Sequence, residues 1–221
     1  LFDGVADGNI SGVIESSTEG NYNVIITDKV FNLWVDYIYL DTDERRRFAQ
    51  VSHEYLIEQL QYQNESSASS FTLNFNHPVK EIIWIIQNSD ILEMANGKGN
   101  DWFNFSDRAF GSEPYNDPMI NAKLILDGVD RMEKRDAKYF RLVQPFQRHS
   151  AVPANNYIYV YSFGYNPEKY QPSGTLNFSR IDNSIFEISI VGGIKRPVLK
   201  MFATNYNILR IMGGMAGIVY N

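Results

Sequence analysis

The chain has 221 residues and a mass of 25.4 kDa, with 44% hydrophobic and 21% charged residues, a balance that supports a packed core and disfavours disorder. No apolar run reaches the ~20 residues of a bilayer-spanning helix, and the lack of cysteine removes disulfides, thiolate metal sites and thiol nucleophiles together. Twenty Lys and Arg against 26 Asp and Glu give a net charge of −6, which opposes the counterion release that drives nucleic-acid binding, so no DNA or RNA partner is expected.

Residues 1–20, LFDGVADGNISGVIESSTEG, carry acids and glycines where a signal peptide has a basic start and an apolar run. With no initiating Met, this start reads as that of a fragment. Residues 24–27 and 33–40 read as two strands; in the second, Leu33, Val35, Tyr37 and Tyr39 alternate with a side marked by Asp36. The pattern then changes period. Asp41 with Glu44 three residues on has the spacing of a capping box, and Phe48, Val51, Tyr55, Leu56 and Leu60 hold one face, which predicts a helix over residues 41–63. The polar run NESSASS, residues 64–70, reads as a linker.

Beyond it, Phe71, Leu73 and Phe75 alternate with polar residues, and residues 79–86 form an apolar run suited to a strand covered on both faces. Residues 87–118 hold no sustained period and form a long excursion with Trp102, Phe103, Phe105, Phe110 and Tyr115, the aromatic content of an interface. Further strands are expected at 122–126, 157–163, 185–191, 198–204, 208–212 and 217–220, with a short helix over 136–146. About eight short strands without a βαβ rhythm make an all-β sandwich the simplest packing solution.

Chemistry-bearing clusters are scarce. His53, His77 and His149 are scattered and form no His-x-His pair, so no metal site is expected. Asp41, Asp43 and Glu44 are explained by helix capping, and Arg45, Arg46 and Arg47 by a solvated, ion-paired helix turn. Gly97-Lys98-Gly99 lacks the phosphate-loop spacing, Gly213 to Gly217 suit a bulge or tight hairpin, and Ser173 sits in turn chemistry, so no nucleophile emerges. Arg180 and Asp182 suit an ion pair or bonds to loop backbone. Sequons at Asn9, Asn64, Asn104 and Asn177 arise readily among 21 Asn and are not taken as glycosylation sites. No catalytic residue and no cofactor is expected.

Five blocks nevertheless carry a resemblance: LDTDERRRFAQVSHEYLIEQLQ (40–61), NFNHPVKEIIW (74–84), KYFRLVQPFQRHS (138–150), YSFGYNPEKYQPSGTLNFSRIDN (161–183) and the terminal NYNILRIMGGMAGIVYN. Together they span about 90 of the 221 residues. In this order they closely resemble the major capsid proteins of nucleocytoplasmic large DNA viruses, the group that includes iridoviruses and algal chloroviruses. Gly164 and Tyr165 stand where such proteins tend to carry Ala and an aliphatic residue.

The resemblance implies a double jelly roll, of which residues 1–40 would be the end of a first barrel, 41–70 the linking helix and linker, and 71–221 the second barrel. It implies a non-enzymatic subunit of an icosahedral shell: a homotrimer with a pseudo-hexagonal outline, meeting neighbouring capsomers and minor capsid and penton proteins, assembled in host cytoplasm without inserting into a membrane. Two other classes stay open from the residues alone, a carbohydrate-binding jelly roll with Trp102 and Tyr115 as platforms and a metal-dependent enzyme on the same fold. The strand edges near residues 24–40 are expected to lack partners in this chain and to promote association.

Overall fold

A computed structural model describes residues 12–16, 22–26, 33–66, 69–92, 101–109, 114–194 and 196–220. The chain divides into two compact units, Leu1–Arg47 and Phe48–Asn221.

In the first unit, β1 (Gly12–Ser16) and β2 (Tyr22–Ile26) form an antiparallel pair. The strand expected at 24–27 thus lies within β2 as far as Ile26. The one expected at 33–40 does not form: Leu33, Trp34, Ile38 and Tyr39 are exposed, and the segment pairs with no strand among the described residues. Strand propensity needs a neighbouring ladder to act on, and none is supplied among the described residues. The helix α1 (Thr42–Gln50) starts at the expected place. Glu44 N–H donates to Asp41 Oδ1 at 2.8 Å while Asp41 N–H donates to the Glu44 carboxylate at 3.4 Å, the reciprocal capping box.

The helix ends at Gln50, well short of the expected residue 63, and His53–Ser66 forms the strand β3. Glu, Gln and Leu favour helix in isolation, yet fourteen residue pairs with a partner strand override that preference. The residues read as a linker at 64–66 belong to this strand as well.

The second unit is a sandwich of two antiparallel sheets. Its remaining strands are β4 (Ser70–Thr72), β5 (Pro78–Asn88), β6 (Met119–Leu126), β7 (Val129–Asp136), β8 (Tyr159–Ser162), β9 (Leu176–Asn177), β10 (Ser184–Ile190), β11 (Pro197–Met212) and β12 (Met215–Ile218). One sheet runs β4-β10-β6-β7; the other joins β3, β11, β5 and β8 in sequence, with β12 continuing beside β11 and β9 beside β5. This is the strand order of a jelly roll. The core lies between the sheets: Ile82, Trp84, Ile86, Leu199, Met201 and Ala203 face Ala122, Leu124, Phe186 and Ile188. The Trp84 ring meets Phe186 edge-on at 5.1 Å and Phe140 at 5.1 Å, joining both sheets to the helical segment described next.

The expected helix at 136–146 is present, running from Ala137 through a π-helical turn (Tyr139–Val143) into α2 (Gln144–Arg148). Pro145 explains the widened turn, since its ring clashes with the carbonyl four residues back and it has no N–H to donate. The Gln144 N–H instead reaches Tyr139 O.

Two hairpins turn on paired positive φ angles. Asp127 (48°) and Gly128 (80°) join β6 to β7, and Gly213 (61°) and Gly214 (78°) join β11 to β12, the type I′ geometry that matches sheet twist. The second fulfils the tight-hairpin expectation. The first introduces β7, which the sequence reading missed because six of its eight residues are charged and leave no apolar alternation. The two strands expected at 198–204 and 208–212 are one, continuous through Asn205-Tyr206-Asn207.

Strand β3 inverts the usual pattern. Residues paired directly across a ladder share a face, so Gln59, Gln61, Gln63 and Glu65 stand beside Asn205, Ala203, Met201 and Leu199 of β11, on the core side. The amides of Gln61 and Gln63 are satisfied across the sandwich edge. Gln63 accepts from Asn74 N–H at 2.9 Å and donates to Thr72 O at 2.8 Å; Gln61 accepts from Asn76 N–H at 2.9 Å and donates to Asn76 O at 2.6 Å. These side chains replace the ladder that residues 73–76 lack.

Candidate assembly surface and its polar braces

The residues that position this surface form two polar networks at the sandwich margin. The first starts at Asp117, which leads into β6, and at Arg141 on the π-helical turn. Arg141 Nε and Nη2 donate to the two Asp117 oxygens at 2.7 Å each, and the Tyr159 hydroxyl donates to the same carboxylate at 2.9 Å. A third guanidinium donor reaches Ala154 O, and the guanidinium lies 5.2 Å from the Tyr157 ring.

Hydrogen bonding to Asp117 raises the Arg141 pKa against the opposing effect of desolvation. Burial, reinforced by the Asp117 charge, pushes the Tyr159 phenol far above its ordinary range, so it stays a donor. A cleft of about 310 Å³ opens beside this fork, lined among others by Tyr115, Asp117, Lys138, Arg141 and Tyr157. Tyr157 itself takes a φ of 54°, a conformation costly for a bulky side chain.

The second network surrounds the loop 164–174, which forms a strap. Its two ends cross where only glycine fits: a Cβ on Gly164 would lie 2.8 Å from Gly174 O, and Gly174 has a φ of 139°. Phe163 and Gly164 N–H groups both donate to Lys80 O, at 2.9 and 3.2 Å. The Glu168 carboxylate accepts from Ser150 N–H and Oγ at 2.9 and 3.1 Å, the Arg148 guanidinium lies 4.9 Å from the Tyr165 ring, and the Tyr170 hydroxyl donates to Leu56 O on β3. Beneath the strap, Lys80 pairs with Glu58 at 2.6 Å and His149 Nε2 with Glu81 at 2.8 Å.

These two networks leave a set of large apolar side chains facing outward. Leu60 and Tyr62 stand on the outer side of β3, where Tyr62 packs at 5.1 Å against Phe202; Phe146, Tyr165 and Tyr170 project from α2 and the strap. Such groups are interface material when they lie on rigid supports.

The residues singled out in the sequence fall into place separately. His53 stacks with Tyr55, His77 occupies a turn at φ 65° with its N–H donating to Ser179 Oγ, and His149 meets Glu81; the three are not brought together. Among the described residues no group of three or more His, Asp and Glu is placed to hold a metal ion. Arg46 pairs with Asp43 at 3.3 Å, as a solvated helix turn should. Ser173 Oγ accepts from Asn166 N–H, a turn role. Arg180 and Asp182 are exposed and make no ion pair with each other.

Of the sequons, Asn104 spends its amide on Asp101, Ser106 and Arg108, Asn177 caps a 3₁₀ turn, Asn64 is exposed on β3, and Asn9 lies outside the described residues. In the excursion, Trp102 and Phe103 are exposed and Phe105 and Tyr115 half-buried, whereas Phe110 and Gly97-Lys98-Gly99 lie outside the described residues.

Sequence reasoning did not single out Asp117, Arg141, Tyr159 or the Lys80–Glu58 pair. The one available signal was the Gln-x-Gln-x-Gln alternation at 59, 61 and 63, a period of two inside what reads as a helix.

Comparison with known proteins gives this architecture its kin. The family described as large eukaryotic DNA virus major capsid protein matches residues 44–217. The major capsid protein of Pyramimonas orientalis virus is 46% identical over 212 residues, covering 86% of this chain and 48% of that protein. That of Paramecium bursaria Chlorella virus 1 is 37% identical, covering 86% and 53%. A capsid structure of the latter virus superposes with a TM-score of 0.67 at 33% identity, over 84% of this chain and 55% of the other. The Faustovirus major capsid protein shares the fold, with a TM-score of 0.63 at 14% identity. The chain therefore spans about half the length of the curated relatives it matches, and it belongs to the family of large eukaryotic DNA virus major capsid proteins.

Proposed function

We propose that this chain is the second-barrel portion of a structural coat subunit that builds an icosahedral shell. Three copies of the whole subunit form a capsomer of pseudo-hexagonal outline, which meets neighbouring capsomers and minor capsid and penton proteins, with assembly in host cytoplasm. The observation that carries this reading is the match of the capsid family to residues 44–217 on a sandwich with jelly-roll strand order. Residues 1–40 are the end of a first barrel, which accounts for an exposed, apolar run at 33–40 that pairs with no strand among the described residues. The sandwich proper starts at His53, supported by the full-length pairing of β3 with β11.

The subunit works by rigidity rather than by chemistry: antiparallel sheets fix the supports, and loops and strap carry the contacts. Expression of the full-length protein tests this. Trimers by light scattering, with pseudo-hexagonal particles in electron micrographs, are the expected outcome. A protein that stays monomeric at micromolar concentration and yields no such particles would overturn it.

A further inference from the structure

Strand β3 pairs along all of its fourteen residues with β11, yet none of those residues is buried. Its neighbours differ sharply: β5 buries Ile82, Trp84 and Ile86, and β11 buries Leu199, Met201 and Ala203. Apart from the ladder, the interactions that hold β3 are largely polar. Local opening of a folded protein is governed by how much apolar surface the opening segment gives up, so detaching β3 exposes less apolar surface than detaching β5 or β11.

Two of its polar ties converge on neighbouring positions. Lys80 sits at the register shift of β5, 4% exposed, with its ammonium 2.6 Å from Glu58 and 5.7 Å from the centre of the Tyr206 ring. The strap hangs from the carbonyl of the same lysine, and its Tyr170 hydroxyl donates to Leu56 O. Three separate segments, β5, the strap and β3, thus meet at residues 56 and 58. A second charged tie, Glu54 to Arg210 at 2.6 Å, is about half exposed and adds little.

We propose that β3 is a releasable edge strand, a unit that opens on its own while the rest of the sandwich stays folded, held shut by a polar latch of Glu58, Lys80 and Tyr170. Its release frees residues His53–Ser66 to change partners without global unfolding.

Residue-resolved hydrogen exchange on the full chain tests this, comparing wild type with Tyr170→Phe and Glu58→Gln. In wild type, β3 amides should exchange faster than those of β5. Each substitution should accelerate exchange in β3 by about three- to tenfold, the equivalent of one modest hydrogen bond. The β11 amides directed at β3 should follow, while those directed at β5, and the amides of β6 and β10, stay unchanged. Equal protection of β3 and β5 in wild type, no acceleration in either variant, or acceleration spread evenly over both sheets would each overturn the proposal.

Discussion

Replacing Arg141 by Met removes the cation of the buried fork while keeping most of the side-chain volume. The wild-type pair is 11% and 15% exposed, so the Asp117 carboxylate would be left in a poorly solvated site, still accepting from the Tyr159 hydroxyl but with no cation beside it. Breaking one side of such a pair costs about 3–5 kcal/mol, because an uncompensated charge stays behind. Against a typical total of roughly 5–15 kcal/mol that is a large share.

With a urea dependence of about 2.5 kcal/mol per molar, the midpoint should fall by roughly 1–2 M. Tryptophan emission is a suitable probe, since Trp84 is fully buried in the core while Trp34 and Trp102 are 78% and 50% exposed and change little on unfolding. The double variant with Asp117→Asn should lose at least ~2 kcal/mol less than the sum of the two singles, because each single leaves the other partner stranded. A single-variant loss below ~1 kcal/mol, or additive singles, would refute the claim that this fork is a buried brace and place it with ordinary surface pairs.

Alkaline pH gives a second test. Tyr159, Tyr161 and Tyr206 all have pKa values raised by burial. A phenol that keeps its proton in the fold and loses it when unfolded destabilises the fold once pH exceeds ~10, at about 1.4 kcal/mol per pH unit for each such group. Thermal melts should therefore decline above pH 10, and less steeply for Tyr159→Phe; an unchanged slope would contradict the assignment. Gly164→Ala should destabilise by ~1–3 kcal/mol through contact with Gly174 O and expose the strap to proteolysis, whereas wild-type resistance to cleavage would show that the crossing relaxes freely. The chain as it stands should self-associate through its exposed run at 33–40, and Trp34→Asp with Ile38→Lys should shift sedimentation toward monomer; a monodisperse wild-type monomer would count against this.

Much of the sandwich was legible from residue pattern. Strands with one clear apolar face or a doubly covered run, such as β5, β6 and β10, could be read directly, because burial itself sets their periodicity. The capping box and the Gly213-Gly214 turn were readable for a different reason, since local backbone geometry demands those residues. What escaped were elements defined by distant partners. Strand β3 carries helix-favouring residues and is held by β11, 132 or more positions later in the chain. Strand β7 has an Asp127-Gly128 turn in front of it, a local signal that its charges obscured. The polar braces were invisible for the same reason: nothing in the spacing of Asp117, Arg141 and Tyr159 announces that a π-helical turn and two sheet margins will bring them together.

The inward glutamines of β3 bear on how copies of this protein avoid misalignment. Sliding the strand by one position would turn Leu60 and Tyr62 toward the sandwich and Gln59, Gln61 and Gln63 to water, a change that hydrophobicity alone would reward. The slip would forfeit the four bonds that Gln61 and Gln63 make to residues 72–76, and the Gln59 contact to Asn207 at 2.8 Å. The strand is therefore aligned by matching donors to acceptors rather than by oil against oil. Where many identical chains fold together, such matching rejects a near-miss that greasy contacts alone would accept.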